Sequence, residues 1–199
     1  SALKTDSRHR AEGIREEIDF LLSRADRFDI IPALVGKNEI PRRITHNDTK
    51  LNNVLFDRTT GESLSVIDLD TVMPGTVLFD FGDLARSTLV AAAEDERELS
   101  RIQVRLPVFE ALLRGFLSPV RRWITPVEVD LLVHGVLLMP AVIGMRFLTD
   151  YLEGDIYFKT SRPDHNLSRA RVQFALVRSA EKAREEMREI LQRVRGDLC

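Results

Sequence analysis

The chain has 199 residues, 44% of them hydrophobic and 30% charged, a balance that supports one well-buried domain or two small ones and excludes disorder. Its 29 basic and 31 acidic residues nearly cancel, so no strong field points toward nucleic acid or an anionic membrane. The lone Cys199 excludes an internal disulfide, the longest apolar run (Val136 to Met145) is too short for a bilayer, and the N-terminal stretch is too charged for a signal peptide; a cytoplasmic protein is expected.

Along residues 7–26, Ala11, Ile14, Ile18, Leu21, Leu22 and Ala25 recur at helical spacing, and Arg8, Glu12, Arg15, Glu16 and Asp19 fill the other face. A short helical piece around Pro32 to Gly36 follows, and Pro41 breaks the chain. The character then changes. Val54-Leu55-Phe56 and Leu64 to Ile67 are short apolar runs flanking a turn with Gly61, which predicts a β-hairpin. Helical patterns return near 83–93, 97–117, 126–152 and 166–195, broken at Pro119 and around Gly154. In the last, Ala170, Phe174, Val177, Ala180, Ala183, Met187, Ile190 and Val194 form the buried stripe. The expected architecture is mainly α with one small hairpin.

The stretch Thr45-His46-Asn47-Asp48-Thr49-Lys50-Leu51-Asn52-Asn53, followed by the hairpin and Ile67-Asp68-Leu69-Asp70, carries the chemistry. Phosphoryl transfer needs a carboxylate beside the acceptor hydroxyl and oxygen ligands for Mg²⁺ beside the phosphates. Protein kinases take these from an Asp and an Asn five positions later, the spacing of Asp48 and Asn53 here. Lys50 is placed to meet the transferred phosphate, or else is a solvated charge. His46 reads as a structural histidine that hydrogen-bonds the loop.

Hairpin register supplies a second argument. If Asp57 pairs with Leu64 in a ladder without bulges, Asn53 stands opposite Asp68. Opposed residues lie roughly 4.5–5.5 Å apart at Cα and share a face, as ligands of one Mg²⁺ at roughly 2.0–2.1 Å must. Asp70 either faces the same metal or caps a turn. Asp80-Phe81-Gly82 spells the metal-binding tripeptide of protein kinases, but it runs into a helix start at Asp83-Leu84-Ala85-Arg86 with Asp80 as the expected N-cap. Asp80 and Asp83 are therefore assigned to structure.

At these residues the chain resembles the aminoglycoside phosphotransferase and choline kinase superfamily, whose loop reads His-x-Asp-x-x-x-x-Asn and whose metal Asp follows Ile or Val. Within it, His46 to Asn53, Val66 to Gly75, Arg146 to Lys159 and His165 to Arg171 resemble N-acetylhexosamine 1-kinases. The resemblance implies ATP as donor, Mg²⁺ as cofactor and a sugar whose anomeric hydroxyl attacks the γ-phosphate. It implies Asp48 as base or orienting carboxylate and Asn53 and Asp68 as metal ligands. Arg146, Asp150 and Tyr157 become candidates for gripping sugar hydroxyls, although Arg146 and Asp150 at i,i+4 also read as a surface ion pair.

The resemblance further implies the C-terminal lobe of a protein-kinase-like α+β fold: catalytic loop 45–53, metal-binding hairpin 54–70 and a helical substrate-binding part 79–199. Only 47 residues precede Asp48, with two glycines (Gly13, Gly36) and no strand bearing a phosphate-binding Lys. The expectation is that the N-lobe is absent, that Ser1 opens a fragment, that this chain alone is inactive, and that the bared surface favours self-association. Alternatives are a kinase for an amino alcohol, amino acid or aminoglycoside, or a non-catalytic sugar-binding module.

Overall fold

In the computed structural model, which describes residues 2–5 and 8–198, four short helices come first: α1 (Ala2–Thr5), α2 (Arg15–Leu22), α3 (Ala25–Phe28) and α4 (Ile30–Gly36). Cys199, the lone cysteine, lies outside the described residues. The single helix expected over 7–26 is instead broken, because Ser23 and Arg24 close α2 with backbone bonds to Asp19 and Leu21. Ile14 and Phe20 are buried, while Leu22 and Ala25 are exposed.

Strands β1 (Arg43–Thr45), β2 (Val54–Phe56), β3 (Ser63–Val66) and β4 (Met73–Gly75) form two antiparallel ladders, β1 with β4 and β2 with β3. Only the second was expected. The outer ladder pairs Arg43 with Gly75, Ile44 with Pro74 and Thr45 with Met73, so it closes residues 46–72 into one loop-and-hairpin excursion.

Six helices follow: α5 (Val77–Thr88), α6 (Leu106–Val120), α7 (Pro126–Asp130), α8 (Leu132–Glu153), α9 (His165–Lys182) and α10 (Arg184–Leu198). Pro119 does not break the chain as expected; it sits in the last turn of α6, and Pro140 lies within α8. Gly154, in the left-handed region at φ 103°, ends α8. The long C-terminal pattern divides at Ala183 into α9 and α10, with its stripe buried except for the half-buried Ala183 itself.

Helix α8 organises the core. Leu132, Val133 and Val136 pack with Leu78 and Phe81 of α5, Phe109 and Leu113 of α6, and Met187 of α10. Further along, Phe147, Leu148 and Tyr151 join Leu167, Ala170 and Phe174 of α9 and Ile14 and Phe20 from the N-terminal segment. An apolar helix buried by neighbours on several sides needs no polar stripe. Helix α8 is 22 residues long, and an 18-residue window within it reaches a mean hydropathy of 1.7, enough by length and composition for a membrane span, which the shorter apolar run taken alone conceals. Most of that window is buried inside the protein, as in the core helix of a globular domain.

Where α5 crosses α8 the backbones touch. A Cβ on Gly82 would collide with the carbonyl oxygen of Gly135, and one on Gly135 would lie 2.6 Å from that of Leu78. This contact sets the position of α5, whose first two turns lie under the loop at 45–53.

Candidate active site

The loop is held from three directions. Thr45 ends β1, and its hydroxyl donates to the carbonyl oxygen of Met73 at 3.2 Å. Asn47 adopts φ 63°, and its side-chain amide donates to the carbonyl oxygen of Thr71 at 3.0 Å. The Thr71 hydroxyl in turn donates to the carbonyl oxygen of His46 at 2.6 Å. From below, the Asp80 carboxylate accepts the backbone N–H groups of His46 (2.9 Å) and Asn47 (2.7 Å). Asp80 is thus not the N-cap of α5; Thr76 takes that place, accepting from the Leu78 N–H. Burial pushes the Asp80 carboxyl up, against the hydrogen bonds from His46 and Asn47.

Asp48 stands on this braced loop. Its carboxylate accepts from the Lys50 ammonium at 2.8 Å and from the Asn53 side-chain amide at 2.9 Å. The same amide donates to the Asp48 carbonyl oxygen at 2.8 Å, which fixes the loop's far end. Burial raises the Asp48 carboxyl, but the bonds from Lys50 and Asn53 and the charges of Lys50 and Arg86 outweigh it. Asp48 therefore sits below the ordinary carboxylate range and is ionised at neutral pH. A carboxylate in that state is able to orient a hydroxyl or accept its proton.

The hairpin register differs from the expected one. Val54 faces Val66 and Leu55 faces Ser65, but Phe56 faces Ser63, so a bulge leaves Leu64 over. Its cause lies in the turn, where the Asp57 carboxylate accepts the N–H groups of Thr59 (2.7 Å) and Thr60 (2.8 Å). Asn53 consequently lies opposite Ile67, whose N–H donates to the Asn53 carbonyl oxygen at 2.9 Å. Asp68 falls one residue beyond, at φ 62°, so strand alternation does not decide where its side chain goes. A non-glycine residue in this region is uncommon, and such strain gathers at functional sites.

His46 braces this point, its Nε2 3.2 Å from the Ile67 carbonyl oxygen. Asp68 is exposed, and its carboxylate makes no hydrogen bond or ion pair among the described residues. Asn53 is buried and uses its side-chain N–H groups on Asp48, which leaves its side-chain Oδ1 available. Two hard oxygen donors of this kind fit Mg²⁺, which takes one or two protein ligands and completes its shell with water and phosphate oxygens. Among the described residues no cluster of three or more His, Cys, Asp or Glu forms an all-protein metal cage. Asp70 is exposed within the short turn Leu69–Thr71, whose N-cap position is taken by Asp68 without a side-chain bond.

Beside Asp48 opens a cleft of about 620 Å³, within the usual range of small-molecule sites. Asp48 and Lys50 line it from the loop, Arg86 from α5, Arg146 from α8, and Arg169 and Gln173 from α9. Arg86 is held by buried Asp83 at 2.8 Å, so Asp83 acts on the cleft through its partner. Asp68, Asp150 and Tyr157 are not on this wall. Arg146 also borders a neighbouring pocket of about 250 Å³ with Asp150 and Tyr157.

The expected Arg146–Asp150 pair does not form. The Arg146 guanidinium donates to the Tyr157 hydroxyl at 3.3 Å and lies over the Phe158 ring, 5.4 Å from its centroid. Asp150, 2% exposed, instead accepts the N–H groups of Ile156, Tyr157 and Phe158 at 2.7–2.9 Å and the Asn166 amide at 2.7 Å. A carboxylate so occupied is not free to grip a sugar hydroxyl; it shapes the loop that presents Tyr157 and Phe158. Sequence reasoning missed Arg86, Arg169 and Gln173. Arg86 was signalled only by its i+3 spacing from Asp83, and Gln173 only as a polar residue beside the buried stripe of α9.

An ionised carboxylate at the mouth of a cleft, flanked by cations, is the provision a phosphotransferase makes for an attacking hydroxyl. Residues 2–113 match the Phosphotransferase enzyme family (APH), and the chain belongs to that family. The match runs from α1 through both ladders and the loop that carries Asp48 into α6, and it marks the protein as a kinase-like phosphotransferase of small molecules.

Proposed function

We propose that the protein transfers the terminal phosphoryl group of ATP to the anomeric hydroxyl of an N-acetylhexosamine. The observation that carries this reading is the placement of Asp48, ionised and doubly hydrogen-bonded, on the wall of the 620 Å³ cleft. Asp48 orients the sugar hydroxyl and accepts its proton. Lys50 exchanges its bond to Asp48 for one to the transferred phosphate. Asn53 and Asp68 hold Mg²⁺, which when bound neutralises charge on the phosphate oxygens. Arg146 remains the candidate for sugar hydroxyls, with Tyr157 bonded to it from the neighbouring pocket.

Charge on the cleft wall supports a sugar over the cationic alternatives. Lys50, Arg86, Arg146, Lys159 and Arg169 face only Asp48 and Glu94 there, a setting that repels an amino alcohol or an aminoglycoside. In this reading the chain is a kinase C-lobe, which needs a nucleotide lobe for turnover. Large apolar side chains exposed over residues 44–73, among them Ile44 (72%), Leu64 (66%) and Leu69 (60%), support a lobe docking there, or self-association when it is missing. The test offers the protein joined to its nucleotide lobe ATP, Mg²⁺ and four acceptors: N-acetylglucosamine, N-acetylgalactosamine, choline and an aminoglycoside. Sugar 1-phosphate detected by phosphorus NMR is the expected product. Phosphorylation of choline or the aminoglycoside alone would replace the sugar reading.

A further inference from the structure

The cleft changes character along its length. Near Asp48 it is charged. Where α9 faces the segment after α5, its wall is Val90, Ala92, Ile102, Val172 and Leu176. Beside this apolar wall stands Gln173, only 3% exposed yet bordering the cleft. Its Oε1 is buried with no hydrogen-bond donor among the described residues. One turn earlier, the Arg169 Nε is also buried and unbonded: Glu94 lies 3.3 Å away but off the N–H line. Helix α8 keeps Gln173 in place, for a Cβ on Gly144 would lie 3.0 Å from the Gln173 Cβ.

Buried polar groups without partners are rare because leaving them unpaired is costly, and each asks what completes it. Here an orphan acceptor and a donor engaged only by an ion pair to the exposed Glu94 sit one helical turn apart beside an apolar wall. We propose that Gln173 is the specificity-determining residue for the acetamido group of the acceptor. Its Oε1 accepts the acetamido N–H, the Arg169 Nε–H donates to the acetyl carbonyl, and the methyl rests against Val90, Val172 and Leu176. A secondary amide offers one donor, one acceptor and a methyl together. A hydroxyl offers the first two and leaves the apolar wall uncovered. This inference rests on the reading of the acceptor as an N-acetylated sugar.

The experiment measures binding without nucleotide, so it does not depend on turnover. N-acetylglucosamine, glucose and N-acetyl-N-methylglucosamine are titrated into the protein and two variants, with thermal unfolding checked alongside. The protein is expected to bind N-acetylglucosamine about tenfold or more tightly than either of the other two, the size of effect one buried hydrogen bond commands. Gln173→Met should erase that preference, and Gln173→Glu, which keeps an acceptor oxygen, should restore part of it. Equal binding of N-acetylglucosamine and its N-methyl analogue overturns the proposal even if both variants misfold. Failure to bind any of the three sugars overturns the amino-sugar reading and this inference with it. Tight N-acetylglucosamine binding that Gln173→Met leaves unchanged overturns the role of Gln173 alone.

Discussion

Asp80→Asn exchanges one carboxylate oxygen for an amide and removes the charge beneath the loop that carries Asp48. The carboxylate accepts two backbone N–H groups, at 2.9 and 2.7 Å. Hydrogen bonds to a charged group are worth roughly 1.5–3 kcal/mol each. The amide keeps one acceptor and turns a donor toward the second N–H, so one bond is lost and the other loses its charge. Burial already raises the Asp80 carboxyl, and a neutral amide is spared that cost, which offsets part of the loss. The net destabilisation expected is about 2 kcal/mol. With a urea slope near ~2 kcal/mol/M, the unfolding midpoint falls by about 1 M. Turnover should fall further than stability suggests, by about 10²-fold, because the loop that places Asp48 loses its support. Urea unfolding of the chain and a phosphoryl-transfer assay of the same variant joined to a nucleotide lobe measure both. An unshifted midpoint together with unaltered turnover would refute the claim that Asp80 holds the loop.

Asp48→Asn should lower kcat by about 10²-fold or more with little change in acceptor binding, and turnover near that of the unmutated protein would remove Asp48 from its role. Asn53→Ala and Asp68→Ala should each raise the Mg²⁺ concentration for half-maximal activity; identical metal titrations would count against a shared cation. Asp150→Ala strips four donors of their acceptor and should cost about 3 kcal/mol or more by chemical unfolding, so a near-neutral result contradicts its structural role. Burial raises the Glu128 and Glu181 carboxyls, but Arg43 and Arg24 respectively outweigh it and leave both below the ordinary range. Their stabilisation is present above about pH 4.3 and is lost as the pH falls through and below it. Glu128→Gln should flatten the acid side of the stability curve, and an unchanged slope would sink that assignment.

Helices and motif were legible in the sequence for physical reasons that the remaining elements lack. The buried stripe from Ala170 to Val194 repeats often enough to announce itself, and the spacing of Asp48 and Asn53 matches a demand of the chemistry. Strands β1 and β4 have three residues each, with Ile44 72% exposed and Pro74 in the ladder, so no alternation marks them. The bulge is decided by how Asp57 caps its own turn, a local bond that hydrophobic patterning does not encode. Asp150 and Arg146 looked like partners because i,i+4 spacing brings side chains together on any helix. Three backbone N–H groups of the following loop compete for the same carboxylate and win.

The backbone contact between α5 and α8 has a genetic consequence. Side-chain clashes in a core are commonly relieved by trimming a neighbour, so suppressors appear at the point of contact. At Gly82 the Met139 side chain shares the contact, but at Gly135 the opposing surface is the Leu78 backbone alone, which no substitution makes smaller. Gly135→Ala would wedge α5 away from α8 and carry Asp80, with the loop it holds, out of register with the cleft. Reversion should then come from Gly135 itself or from residues that reseat the loop, such as the Asn47 and Thr71 pair, and not from the helix crossing. In a selection for activity, this crossing should behave as a locus of lesions without local remedy.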